Sequence, residues 1–364
     1  MEFTVFTTGK DDEGKRLDRV LRAVLGSRAA PGINIFQALR KRLVRLNGSK
    51  AEASARVHEG DKIEIAGFLL QPSPAPSPSL SESGTAHASR PSPVDALPPA
   101  PPGSARTSKT RLEVLFQNDD IMFINKPAGI SVQPSSGGKE SISQIVRAEW
   151  EAAGPHGSLS FIPAPLHRLD RHTSGVLAIS RSARGAAWFS RAIQERAIRK
   201  IYLGICMGRL EDDALWEDRL AADSGSGGSG FHTVRRAAAT GDDGKSSGSL
   251  ARTRVHPLCQ GRRGQDELTL VQYELLTGRK HQIRAQSALH GHPLYGDTAY
   301  GGQGCGGRFF LHAFRLDFPP DNPLSLPEKI EAPLPEDFAG VLQFFPAPTL
   351  AKVPAGKYNL SIKV

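Results

Sequence analysis

The chain has 364 residues, 39 % of them hydrophobic, and a formal net charge of +9. That length exceeds one ordinary domain, and no apolar run is long enough to cross a bilayer, so a membrane-spanning protein is excluded as a reading. The positive charge points to an anionic partner such as nucleic acid.

The three cysteines, Cys206, Cys259 and Cys305, are scattered, with no C-x-x-C pair. Neither a disulfide framework nor a zinc site is expected. The N-terminus lacks the charged-then-apolar pattern of a signal peptide, so a cytoplasmic location and no membrane partner are the default expectations.

A first module is predicted over residues 10–67. Leu17, Val20, Leu21, Val24 and Leu25 fall at helical spacing. Ile35, Phe36, Leu39 and Leu43 suggest a second helix. Asn47-Gly48 is a tight-turn signal, and Glu59-Gly60-Asp61 precedes the alternating Lys62-Ile63-Glu64-Ile65. Between Lys15 and Arg45 there are nine basic residues and one acid. A solvated helical face accounts for some of them. The cluster Arg40, Lys41, Arg42 with Arg45 reads better as an RNA-binding face.

Residues 71–110 hold ten of the chain's 27 prolines and nine serines. Such a stretch cannot bury a core and is predicted to be a flexible linker. The large domain is expected over residues 111–350. Ile121-Met122-Phe123-Ile124 reads as a strand and Asn125-Lys126-Pro127-Ala128-Gly129 as a turn. The nine residues from His167 to Gly175 hold an acid, two arginines, two histidines and two hydroxyls. The apolar run Val176-Leu177-Ala178-Ile179 follows, so the cluster reads as a loop entering a buried strand. Asp170 sits in a basic neighbourhood that keeps a carboxylate ionised, fit for nucleophilic or general-base work or for a salt bridge.

A helix is predicted from Ala183 to Arg196, capped by Ser182, with Phe189, Ala192 and Ile193 inward. Ile201, Leu203, Ile205 and Met207 alternate with smaller or polar residues as a strand, which places Tyr202 on the face opposite the large apolar row. Residues 222–250 turn glycine- and serine-rich and read as a flexible insertion. Gly244-Lys245-Ser246 is not a phosphate-binding loop, since Ala239 stands where that motif needs glycine. Leu268 to Leu276 suggests a strand, then a short helix ends near Gly291. A last strand lies within Phe309 to Phe318, and Pro327 to Phe345 suggests a closing helix.

Two resemblances refine this outline. Gly14-Lys15-Arg16-Leu17-Asp18-Arg19-Val20-Leu21, Arg45-Leu46-Asn47-Gly48 and Val57-His58-Glu59-Gly60-Asp61-Lys62-Ile63 resemble the small α/β RNA-binding domain first described in a ribosomal small-subunit protein. That resemblance implies RNA contact by the basic helical surface.

The second covers about residues 112–345. His167-Arg168-Leu169-Asp170-Arg171 with Thr173-Ser174-Gly175 is its first carrier. Asn125-Lys126-Pro127-Ala128-Gly129, Lys200-Ile201-Tyr202 and Thr277-Gly278-Arg279 with His281-Gln282-Ile283-Arg284 are others. Gly296-Asp297, Tyr300-Gly301 and Leu311-His312-Ala313 complete the order. Together they resemble the RNA pseudouridine synthases of the RluA type.

The resemblance implies an α+β fold with a central mixed, largely antiparallel sheet and an active-site cleft, acting on uridine in a folded RNA. Asp170 would be the catalytic aspartate, Arg284 its paired cation, and Tyr202 the ring that stacks on uracil. Arg168 would replace the extruded uridine in the RNA stack. Lys126, Arg171 and Lys200 would contact phosphates. His167 and Thr173 would shape the loop. Ribosomal RNA is the expected partner, with transfer RNA the other candidate, no cofactor or metal, and a monomeric state. The chain departs from many members at Lys280 and Ala285-Gln286, where threonine and Val-His are common. A non-catalytic RNA-binding assembly factor is the runner-up, and binding alone gives no reason for an ionised carboxylate facing RNA. A hydrolase built on Asp170 would lack a second carboxylate or nucleophile–base pair nearby.

Overall fold

The computed structural model describes residues 1–26, 34–70, 111–134, 140–152, 158–222, 234–236, 248–303 and 307–346. They fall into two compact units, Met1–Arg111 with His156–Ser160, and Leu112–Pro155 with Phe161–Val364. The linker expected at 71–110 lies outside the described residues. Among the described residues no helix is long and apolar enough to cross a membrane.

The first unit contains β1 (Phe3–Thr7), α1 (Leu17–Leu25), α2 (Ile35–Arg40), β2 (Val44–Leu46), β3 (Ser49–Lys50) and β4 (Lys62–Ala66). Its strands form one antiparallel sheet in the order β1-β4-β2-β3. All five residues at the predicted helical spacing in α1 are buried, packed with Ile63 and Ile65 of β4. Asn47 and Gly48 both have positive φ, 50° and 76°, which the two-residue β2–β3 hairpin needs to match the strand twist. Asn34 caps α2 by accepting the N–H groups of Phe36 and Gln37. Ile35, Ala38 and Leu39 make the i, i+3, i+4 set, so Phe36 is turned outward, 50 % exposed, against expectation. The unit also starts before Lys10. Strand β1 is a half-exposed edge, which is why its pattern is weak in the sequence.

The second unit contains β5 (Glu113–Gln117), β6 (Ile121–Lys126), α3 (Ile142–Ala152), β7 (Ser174–Ser180), α4 (Ala183–Gln194), β8 (Arg199–Met207) and β9 (Ala214–Ala222). It continues with β10 (Val234–Arg236), β11 (Ser249–Arg263), β12 (Asp266–Leu275), α5 (Gln282–Leu289), β13 (Leu311–Asp317), β14 (Lys329–Glu331) and α6 (Glu336–Leu342). The ten strands make one sheet in the order β10-β9-β11-β12-β8-β13-β7-β6-β5, with β14 on β13. Every neighbouring pair is antiparallel except β13 and β7. The expected mixed, largely antiparallel sheet is therefore present.

Residues 222–250 are not wholly loose. Val234–Arg236 pairs with the end of β9, and β11 starts at Ser249. Residues 223–233 and 237–247 lie outside the described residues.

Strand β8 divides the core. Ile201, Leu203 and Ile205 pack on one face with Leu268, Leu270 and Phe338, the last from α6. Tyr202 and Cys206 point to the other with Tyr273, Leu311 and Ile283 of α5. The period of two thus delivers Tyr202 to the α5 side. Ser182 caps α4 by accepting the Gly185 N–H, as predicted. Phe189 of α4 packs against Phe123 and Val176, burial that contributes on the order of 2 kcal/mol.

Candidate active site

Three segments converge on one cavity: the loop before β7, the middle of β8, and the start of α5. Each is held by named contacts. In the loop, His167 Nε2 accepts the Ala178 N–H at 3.1 Å and its ring stacks on Phe189 at 5.8 Å. Burial, with Lys200 adding, pushes the imidazole down to about 4, so it is neutral. Leu169 is buried in the core beside Tyr202 and Ile283. The side chains of Arg168 and Asp170, on either side of it, line the cavity. At Gly175 φ is 110°, and an added Cβ would run into the Ala313 carbonyl. Only glycine lets the chain enter the sheet that closely.

Below the loop, Lys126 is 0 % exposed. Its Nζ donates to the carbonyls of Pro127 (2.8 Å), Ile130 (2.8 Å) and Arg171 (3.2 Å). Burial above all pushes its pKa down to about 7, while Asp170 works in the opposite direction. The expectation that Lys126 contacts phosphate is corrected. It ties the β6 turn to the loop before β7, because a buried ammonium must satisfy its donors inside the protein. Arg171 is exposed, with Nε donating to the Gly129 carbonyl at 2.9 Å, and it does not line the cavity.

The Ser174 hydroxyl lies 2.9 Å from His312 Nδ1, and Nε2 of that ring lies 3.2 Å from the Ala332 carbonyl. A carbonyl only accepts, so Nε2 carries the hydrogen and Nδ1 accepts the hydrogen bond of the Ser174 hydroxyl. Burial pushes His312 to about 4.

The cavity measures about 350 Å³ and is lined by Arg168, Asp170, Lys200, Tyr202, His281 and Arg284, among others. The Asp170 side chain is 26 % exposed, and Arg284 Nη1 lies 3.4 Å from its Oδ2. Arg284 is itself fixed. Its Nε and Nη2 donate to the two oxygens of Asp297 at 2.7 and 2.8 Å, and its guanidinium lies between the rings of Phe309 (4.3 Å) and Tyr300 (4.8 Å). Burial opposes its charge, but Asp297 and Asp170 outweigh it and raise the pKa. Such a forked, stacked cation is rigid as well as charged.

Tyr202 is buried in register with Tyr273 and Ala313 and forms one wall. Burial, with Asp170 adding, pushes its hydroxyl well above the usual range, so the phenol stays protonated. Lys200 is half-buried on the same cavity, and burial, then Arg196, lowers its pKa.

Five predicted residues therefore meet at one place: Asp170, Tyr202, Arg284, Arg168 and Lys200. Arg40, Lys41, Arg42 and Arg45 belong to the other unit. The first three are exposed, and Arg45 is half-buried with its guanidinium over Phe3 at 4.3 Å. The sequence reading gave no role to Asp297, Tyr300, Phe309 or His281. The available signal was an acid and an aromatic in a glycine-rich turn, Gly296-Asp297 and Tyr300-Gly301.

The chain is similar to known proteins. The sequence profile of the RNA pseudouridylate synthase family matches residues 120–289. The chain is 31 % identical over 246 residues to ribosomal large subunit pseudouridine synthase D of Nitrosomonas europaea, which covers 64 % of this chain and 64 % of that protein. The chain thus spans less than two thirds of that relative's length. It is 26 % identical over 346 residues to ribosomal large subunit pseudouridine synthase C of Vibrio vulnificus, covering 92 % of this chain and 94 % of the relative. The structure of human RNA pseudouridylate synthase domain containing 1 superposes with a TM-score of 0.50 and 24 % identity over 70 % of this chain and 97 % of that one, a likeness of fold. The matched profile contains the loop of Asp170, the strand of Tyr202 and the helix of Arg284, so residues 120–289 are similar to the RNA pseudouridylate synthase family over the segments that build the cavity.

Proposed function

We propose that this protein isomerises uridine to pseudouridine in RNA, with large-subunit ribosomal RNA as its substrate and Asp170 as its catalyst. One observation carries the reading: a partly exposed carboxylate sits in a cavity of about 350 Å³ beside a rigidly held arginine and a buried, protonated tyrosine. The reaction breaks the bond from uracil N1 to the ribose and forms one from C5 in its place. The C5 hydrogen leaves as a proton, and N1 gains one. A carboxylate starts this as a nucleophile or a base, and either route needs it ionised. Arg284, 3.4 Å away, gives the carboxylate a fixed cationic partner.

Tyr202 offers a ring face for the uracil to stack on. Arg168 is exposed at the cavity, where it can enter the space of the extruded nucleotide. Lys200 supplies a cation for the backbone. The exposed Arg40, Lys41 and Arg42 of the first unit add sequence-independent affinity, and a tether between the units would raise local concentration at the RNA.

The test is a map of pseudouridines in RNA from cells with and without the gene, complemented by wild type or Asp170→Asn. A site lost on deletion and restored only by wild type is the expected result. An unchanged map would sink the proposal.

A further inference from the structure

The roles assigned above leave out His281. It sits just before α5 with its backbone in the left-handed region, φ 52° and ψ 25°. A side chain there is uncommon and costs strain, so something must hold it. One end of its ring is held by Tyr300, whose hydroxyl lies 2.9 Å from Nδ1, with the rings edge to face at 5.9 Å. The other end, Nε2, lies 3.8 Å from Asp170 Oδ1. Arg284 approaches the opposite oxygen, Oδ2, at 3.4 Å. Each carboxylate oxygen therefore faces its own nitrogen. Tyr300 supports both nitrogens, with its ring face over the Arg284 guanidinium at 4.8 Å and its hydroxyl on His281.

We propose that His281 is a positioning residue for Asp170: Tyr300 sets its tautomer, and Nε2–H then orients the carboxylate that Arg284 holds from the other side. The proposal rests on the synthase reading. A tyrosine hydroxyl that donates to Nδ1 places the imidazole hydrogen on Nε2. A neutral donor orients a carboxylate and leaves its negative charge for the substrate. An imidazolium in the same place would neutralise it.

The groups that face His281 are Asp170, Arg284, Lys280, Asp297 and Tyr300. Burial first, then Arg284 and Lys280, holds its pKa below the ordinary range against the pull of Asp170 and Asp297. The ring is neutral at neutral pH, and acid would charge it.

Glutamine and asparagine separate the two nitrogens, since glutamine reproduces Nε2 and asparagine Nδ1. Asparagine is also the better residue for left-handed backbone, so a purely structural role predicts that it is tolerated better. The experiment uses the full chain and an in-vitro transcript of the source organism's large-subunit ribosomal RNA made with 5-tritiated uridine. Isomerisation releases the C5 hydrogen, so tritium in water reads turnover.

His281→Gln is expected to keep most of the single-turnover rate. His281→Asn and His281→Ala are expected to lose roughly ten- to a hundredfold with the half-saturating RNA concentration unchanged. Tyr300→Phe keeps the ring over Arg284 and lacks only the hydroxyl. It is expected to slow turnover similarly and to shift the acid limb of the rate profile. Equal rates in the Gln and Asn variants, a faster Asn variant, or a change confined to half-saturation would overturn the assignment. Tritium release by wild type and none by Asp170→Asn keeps the synthase reading whatever His281 does. No release by wild type overturns that reading and this proposal with it.

Discussion

Asp297 holds Arg284 by Nε at 2.7 Å and Nη2 at 2.8 Å, and so leaves Nη1 as the nitrogen that faces Asp170 at 3.4 Å. Without that fork the guanidinium could rotate, and the Asp170 carboxylate would lose a fixed partner. The Asp297 side chain is only 2 % exposed. Its charge is therefore unscreened, and removing it strands a buried cation. Asp297→Asn should cost about 3 kcal/mol in denaturant unfolding, the usual penalty for breaking a buried pair. It should also slow single-turnover isomerisation by more than tenfold. An active, fully stable variant would mean that Asp170 holds Arg284 in place without help.

Lys126 makes a contrasting case. A phosphate-binding lysine and a structural one predict different losses. Its ammonium is fully buried on three carbonyls. Lys126→Met should destabilise the protein by about 2 kcal/mol, since the carbonyls lose their donor. The salt dependence of RNA binding should stay as it was. A salt slope reduced by about one unit would restore the phosphate role.

The basic cluster of the first unit is testable without touching chemistry. Arg40, Lys41 and Arg42 are exposed at and just after the end of α2. Replacing all three with glutamine should leave the melting temperature unchanged and flatten the salt dependence of RNA affinity by about three units. The single-turnover rate at saturating RNA should not move. An unaltered slope would remove the first unit from the RNA interface.

Much of this was legible in the sequence because it rests on period and motif. Leu17 to Leu25 repeats every three or four residues, and the helix buries those side chains. The alternation across 201–207 put Tyr202 on the correct side of the sheet. The motif order brought Asp170, Tyr202 and Arg284 to one cavity from three distant segments. What was missed has physical reasons. Edge strands such as β1 and β5 leave apolar side chains in solvent, with Val5 and Val114 about half exposed, so their alternation carries little information. Strand β11 alternates Ala251, Thr253 and Val255 with Arg252, Arg254 and His256, and its inward residues are too small to stand out as an apolar row. The burial of Lys126 was invisible because a charged residue in a turn motif gives no sign of three carbonyls converging on it. Asp297 looked like a turn residue, and only the fold reveals the guanidinium it holds.

Two histidines, the half-buried His167 at the cavity and the buried His312 behind β7, are expected to set the acid stability of the second unit. His167 accepts the Ala178 N–H, and His312 accepts from Ser174, so each must be neutral in the folded chain. Burial depresses both to about 4, against 6.5 in the unfolded chain. Between those values the unfolded state binds more protons than the folded one, so stability falls as pH falls. The contribution is fully present above pH 6.5 and is lost progressively on acidification towards 4. Two and a half units correspond to at most about 3 kcal/mol per histidine. Unfolding free energy measured from pH 7 to pH 4 should therefore drop steeply in wild type. His167→Gln retains an acceptor for the Ala178 N–H and cannot titrate, so its stability should be lower at pH 7 but flatter with pH. A wild-type curve that is level across this window, or a variant curve as steep as wild type, would show that His167 is charged in the fold or that its site opens to water.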